Sequence, residues 1–356
     1  MESSKNSEVK PCAWAYYKLP HVASFTQIKQ FSSPRCFTLL SELSNAERGF
    51  LTAPFDVKKY PIFLIAPDVV EHYDLETIKS TKVFAQEDLI CSEPQFEAYK
   101  VMFDRCEQQL KGGAIDKIVL SFAIDIETKG VHVFDSVFTD ACLAFPKSYV
   151  ALWHTPETGT WLTITPEILL KKQSDNHWHT VALAGTMRKD QKQTPSAWST
   201  KNIEEQKYVA DYIYNQLAQL NIQPQVGLIQ TIEAANLLHL CTDFYFESDL
   251  PIGQLLAQLH PTPAVCGMPQ KQALAQILAI ENHERLFYAG FSGPLNIEQC
   301  TQFYVTLRCA YFNAPRSVRL FAGGGLLAES TVHDEWNEIV AKVQTAYRAV
   351  TSDVVM

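Results

Sequence analysis

Apolar positions along this chain recur at two spacings, one suited to strands and one to helices. Short β-like runs at residues 12–17 and 62–66 are broken by Pro and Ser. From Pro94 to Leu110 the spacing predicts a helix, and Gly112-Gly113 ends it, as glycine commonly does. Residues 114–126 are rich in β-branched side chains and predict a strand. Further strands are predicted over 149–153, 160–164, 179–183, 303–307 and 318–322. Helices are predicted over 201–220, over 271–280 after Pro269, and over 334–350. Strands cluster and helices interrupt them without strict alternation. That order favours an α+β fold over a doubly wound parallel sheet. No repeat, low-complexity segment or linker divides the chain.

Composition narrows the class. The chain has 356 residues, 47% hydrophobic and 19% charged, enough to bury a large core. No apolar run is long enough to span a bilayer, and the polar start lacks the apolar stretch of a signal peptide. The expectation is a cytoplasmic monomer without a membrane partner. Nine scattered cysteines form no C-x-x-C pair, which argues against a zinc cage or a disulfide framework. A net charge of −9 with no basic block argues against nucleic acid. Such a protein can still hold an anion, given a local cluster of cations or a metal.

Candidate chemistry comes from side chains that sit oddly in these patterns. The helix from Lys201 carries the apolar stripe Val209, Ile213, Leu217 and Leu220, and Glu205 lies one step before it. Glu335 stands in the same relation to the stripe Ile339, Val343, Ala346 and Val350 of the last helix. Glu335, Glu338 and Lys342 share a flank there. Taken alone, each Glu is an ordinary first-turn residue or part of a solvated ion pair. Together, two helices aiming carboxylates inward call for cations, and an all-oxygen set suits Mg²⁺. Lys117 shares a strand face with Ile115, Val119 and Ser121. It reads as a snorkelling edge lysine or as a base. Glu167 precedes an apolar run, as a strand-start residue or a partly buried acid. Arg308 ends another such run, as a structural ion-pair member or a fork for a carboxylate. Gly323-Gly-Gly325 follows the strand over 318–322 and lets a backbone approach a ligand. His177 and His179 read as an exposed strand face, and no G-x-S-x-G elbow surrounds Ser292.

In this order the pieces resemble the chorismate-utilising enzymes, a family that includes isochorismate, salicylate, anthranilate and aminodeoxychorismate synthases. The resemblance rests on Lys117-Ile-Val-Leu-Ser121, Thr165-Pro-Glu167, Leu183-Ala-Gly-Thr186, the segment 201–205, His239-Leu240, His260-Pro-Thr-Pro-Ala264, Tyr288-Ala-Gly290, Val305-Thr-Leu-Arg308, Ala322-Gly-Gly-Gly325 and the Glu335, Glu338, Lys342 triplet. It implies a single large α+β domain of two antiparallel β-sheets flanked by helices. Residues 95–352 would form the catalytic region, with 1–94 a part of the same fold. It implies chorismate as the substrate and Mg²⁺ as the cofactor. Lys117 would be the general base and Glu167 the general acid. Glu205, Glu338 and Glu335 would serve the metal. Gly185, Thr186, His239, Ala264, Tyr288, Arg308, Gly323 and Lys342 would hold the substrate. Lys117, Ala184 and the His260-Pro-Thr-Pro-Ala264 form are similar to the isochorismate synthase subfamily, an isomerase, with salicylate synthase as the alternative. The product could feed menaquinone or siderophore biosynthesis. Two positions depart from the family's habit: Phe122 stands where an arginine is frequent, and Gln206 where a histidine commonly follows the metal glutamate.

Overall fold

The computed structural model describes residues 10–78, 82–83, 88–128, 130–188, 198–234, 237–351 and 353–354. The polar start before residue 10 and the boundary at 352 lie outside them. Two large antiparallel sheets dominate, of nine and ten strands. Six helices accompany them among the described residues: α1 (Glu93–Lys111), α2 (Phe134–Ala144), α3 (Thr200–Gln219), α4 (Ile252–Leu259), α5 (Gln270–Ile280) and α6 (Val332–Val350). This is the expected α+β arrangement. Strands from before residue 95 enter both sheets. Ala13–Lys18 pairs with Tyr149–Thr155 in the first, and Gly49–Ala53 pairs with Phe291–Leu295 in the second. No helix among the described residues is long and apolar enough to cross a membrane.

The elements that carry the site form for local reasons. Lys117–Glu127 is the long strand expected from its β-branched run, and it pairs along its length with Ser317–Leu326. α3 starts at Ser199, whose hydroxyl accepts the Asn202 N–H, and it buries Val209, Ile213 and Leu217. α6 starts at Thr331, which accepts the Asp334 N–H, with Asp334 and Glu335 at the positive end of the helix dipole. It buries Ile339, Val343, Ala346 and Val350. A register shift between Ala184 and Thr186 interrupts the pairing of His177–Arg188 with Leu237–Glu247. Gly185 sits in it at φ +71°, where its Cβ-free backbone comes against Asn202 of α3.

Several expectations need correction. Gly323-Gly-Gly325 does not follow a strand; it lies within Ser317–Leu326, opposite Ser121, Leu120 and Val119. The strand predicted over 303–307 ends at Val305, and Arg308 beyond it has φ +47°. α2 and α4 are absent from the periodic reading. One mixes aromatic and β-branched residues, and the other has only eight residues, too few to establish a stripe. His177 is exposed, but His179 is buried, stacks on Tyr245 and lies 2.8 Å from Asp243 Oδ1. Cross-strand partners of that kind cover a side chain that alternation alone would place in water.

Candidate active site

A cavity of about 670 Å³, mouth included, opens between the two sheets. The first sheet contributes Val119, Phe321, Ala322, Gly323 and Gly325 to its wall, and the second contributes Leu183 to Thr186 and His239. Glu205 reaches it from α3 and Lys342 from α6; Glu167, Ala264, Tyr288 and Arg308 complete the lining used below. Ten of the thirteen site residues expected from sequence therefore meet at one cavity. Of the other three, Lys117 lies beside the lining residues Glu205 and Gly325, and Glu335 and Glu338 lie against Gly324.

One side of the cavity is arranged around a protonated acid. Glu167 is buried, and burial raises its carboxyl to about 8, against the opposing pull of Lys117, Lys342 and Arg308. At neutral pH it carries its proton. Arg308 is also buried, which lowers its guanidinium to about 10, so it remains a cation. Its Nη2 donates to His239 Nε2 at 2.8 Å. Arginine only donates, so Nε2 must accept and the imidazole proton belongs on Nδ1, 3.3 Å from Thr186 Oγ1. Burial, with Arg308 and Lys342 adding to it, holds His239 well below its usual range and neutral. Tyr288 keeps its hydroxyl proton because burial pushes the phenol upward. That hydroxyl would lie 2.4 Å from a Cβ at position 323, so Gly323 is what lets it in.

The other side is a set of carboxylates and lysines crossed by the glycine strand. Lys117 is fully buried, and its Nζ lies 3.0 Å from Glu205 Oε1, too far off axis for a good hydrogen bond. Burial works against the charged form of Glu205, but the cations Lys117, Lys201 and Lys342 prevail and keep its carboxyl below the usual range. Lys342 Nζ lies 2.6 Å from Glu338 Oε1 and donates to Gly323 O at 2.9 Å. Glu335 accepts from Ser330 Oγ at 2.8 Å and from Lys201 at the same oxygen, while its Oε2 has no partner. Burial and the neighbouring Glu338 raise Glu335 to about 7.

These oxygens suit a hard divalent cation. A Cβ on Gly324 would meet Glu335 Oε2 at 2.9 Å and Glu338 Oε1 at 3.7 Å, so the two carboxylates converge on one spot. The unpartnered Oε2 is the kind of buried acceptor that a cation satisfies. Among the described residues, no three His, Cys, Asp or Glu form a ready cage. Mg²⁺ does not require one, because it is usually bound by one or two carboxylates plus water and substrate oxygens.

Position 325 tests the wall. A Cβ there would sit 2.1 Å from Glu205 Oε1 and 3.0 Å from Lys117 Cε. Gly325→Ala is expected to push Glu205 off Lys117 and to cost about 1–3 kcal/mol by overpacking. Urea unfolding measures this, and wild-type stability in the variant would contradict the packing described.

Comparison with known proteins identifies the family. The model of the chorismate binding enzyme family matches residues 67–351. The chain belongs to that family. Among its relatives in the family, the vibriobactin-specific isochorismate synthase of Vibrio cholerae is 25% identical over 311 residues, covering 84% of this chain and 78% of the relative. Isochorismate synthase EntC of Escherichia coli K12 is 29% identical over 265 residues, covering 71% of this chain and 66% of the relative. The fold matches MenF, the menaquinone-specific isochorismate synthase from Escherichia coli, with a TM-score of 0.80 at 21% identity, over 97% of this chain and 90% of that one. It also matches anthranilate synthase component I from Streptococcus pneumoniae, with a TM-score of 0.65 at 16% identity, over 97% of this chain and 82% of that one.

Sequence reasoning gave no role to two buried or half-buried cations that contact the residues around the cavity. Lys201 reaches Glu335 from 134 residues away, and no local pattern reports such a pair. Arg285, buried, donates to Val119 O and Val265 O at 2.7 Å each and is paired with Glu281. It thereby ties two stretches of the cavity wall together. The departures are both absorbed by packing. Phe122 sits edge-on to Tyr99 and Trp336, and Gln206 Nε2 donates to Ala182 O and Thr242 Oγ1.

Proposed function

We propose that this chain is an isochorismate synthase, converting chorismate to isochorismate by adding water at C2 and releasing the C4 hydroxyl. The observation that carries the reading is that one cavity brings together the buried Glu167 and the cations Arg308 and Lys342, with Lys117 beside the cavity residue Glu205. The substrate is a dianion, and Arg308 and Lys342 are the cations placed to meet its carboxylates. The names of the relatives support the same activity.

The chemistry balances as an isomerisation. The step starts from Lys117 as the free amine: water forms a C–O bond at C2 and gives a proton to that amine, and Glu205, 3.0 Å away, holds the resulting ammonium. The ring double bonds shift as the C4–O bond breaks, and Glu167 gives its proton to the departing hydroxyl. One water enters and one leaves, so no redox cofactor is required. His239 is fixed as a neutral donor at Nδ1 and cannot compete for either proton. Glu205, Glu335 and Glu338 would hold Mg²⁺, which supplies neutralisation of substrate carboxylate charge.

The test is chromatography of chorismate incubated with the protein and Mg²⁺, with and without an isochorismate-consuming enzyme. The expected result is an isochorismate peak that the second enzyme drains, and that disappears with EDTA. Salicylate and pyruvate from this protein alone would move it to the lyase reading. Full activity in EDTA would remove the metal from the site.

A further inference from the structure

The two oxygens of Glu335 differ in their partners. The side chain is 1% exposed; Oε1 is shared by Ser330 and the Lys201 ammonium, while Oε2 has none. Lys201 projects from the first turn of α3, four residues before Glu205, and crosses to α6. Its ammonium feels Glu335, Glu205 and Glu338, all three carboxylates of the proposed metal set. The other two lysines nearby are engaged elsewhere. Lys117 faces Glu205 from the strand side, and Lys342 holds Glu338 and the Gly323 carbonyl.

We propose that Lys201 is a built-in counter-ion of this carboxylate set, holding Glu335 until a divalent cation takes its place. The inference rests on the metal reading above. Its physical basis is that buried carboxylates without a cation are costly, so the metal-free protein needs an internal one. A divalent ion and an ammonium in contact with one buried carboxylate repel each other strongly. An ion on Oε2, the unpartnered oxygen of the same carboxylate, therefore drives the ammonium off Oε1. Lysine suits the task. It makes single, reorientable contacts on a flexible stem, and this side chain keeps 22% of its surface in solvent. The closed form lowers apparent metal affinity by the fraction of molecules that are open. If nine-tenths are closed, the reduction is about tenfold.

The test is a titration of Mn²⁺ into metal-stripped protein without substrate, with free Mn²⁺ followed by electron paramagnetic resonance. Lys201→Met and Lys201→Gln are expected to bind Mn²⁺ at least about tenfold more tightly than wild type. Lys201→Arg keeps a cation and is expected not to gain. A second readout is melting. Without metal, Lys201→Met should melt below wild type, and saturating Mn²⁺ should raise its Tm by more, because a ligand that binds only the folded state stabilises it according to affinity. Lys201→Gln keeps a hydrogen-bond donor for Glu335 and serves if Lys201→Met does not fold without metal. Equal or weaker Mn²⁺ binding in both variants, with wild type still binding, overturns the counter-ion role and leaves the metal reading standing. No Mn²⁺ binding by wild type or any variant overturns both.

Discussion

Glu167→Gln is expected to lower turnover by about 10²–10⁴-fold, the usual contribution of a positioned general acid, in a protein that still folds. The carboxyl is buried and holds its proton to about 8, so at neutral pH the change replaces one neutral group with another of nearly the same shape. An amide cannot supply the proton that the leaving hydroxyl takes. Substrate binding should change far less than turnover, because Arg308 and Lys342 still face the cavity. Activity within a few-fold of wild type would remove Glu167 from the acid role.

The same group fixes a pH dependence whose sign can be worked out. The free enzyme is competent only while Glu167 is protonated, so kcat/KM should fall as pH rises through about 8. Glu167→Gln should lack that limb in its residual activity. Stability follows the same proton. The unfolded carboxyl releases it near the ordinary value of 4.5, while the folded one keeps it to about 8. Between those values the folded state binds more protons, so its stability falls as pH rises across the window. Relative to Glu167→Gln, wild type should lose on the order of a few kcal/mol between pH 5 and pH 9. Urea unfolding of both proteins at the two pH values reads this difference directly.

What the sequence made legible, and what it hid, has a common cause. Periodicity reports which way a side chain faces within its own element. It therefore found Glu205 one turn before Val209 and Glu335 one turn before Ile339, and both are buried where the stripes point. It also put Lys117 on the face of Val119, which lines the cavity. Periodicity carries no information about what crosses from the opposite layer. The glycines at 323–325 read as lying past the strand because a strand of three glycines has no side chains to pattern. Their purpose is visible only once Tyr288, Glu335 and Glu205 are seen occupying the space of the missing Cβ atoms. Lys201 marks only the start of its helix in the sequence, yet it serves a carboxylate on α6. The left-handed backbone at Arg308, which turns its guanidinium to His239, also has no signature in residue type.

Lys117→Met should produce the second large loss, and its two consequences can be separated. Turnover should fall by about 10²–10⁴-fold, because thioether sulfur cannot accept the proton of the attacking water. Stability should fall as well. Lys117 is fully buried against Glu205, and removing one partner of a buried pair typically costs about 3–5 kcal/mol. Lys201 and Lys342 still act on Glu205, which places the expected loss near the lower end of that range. A lysine needed only as a counter-ion would give the same first result, so the decisive variant is Lys117→Arg. It keeps a cation opposite Glu205, but a guanidinium does not give up its proton at neutral pH. Fitting it beside Gly325 should cost about 1–3 kcal/mol in packing, so its melting temperature should lie above that of Lys117→Met. Its turnover should remain as low. Turnover recovering along with stability in Lys117→Arg would make Lys117 a structural cation and leave the base to be found elsewhere on the cavity wall.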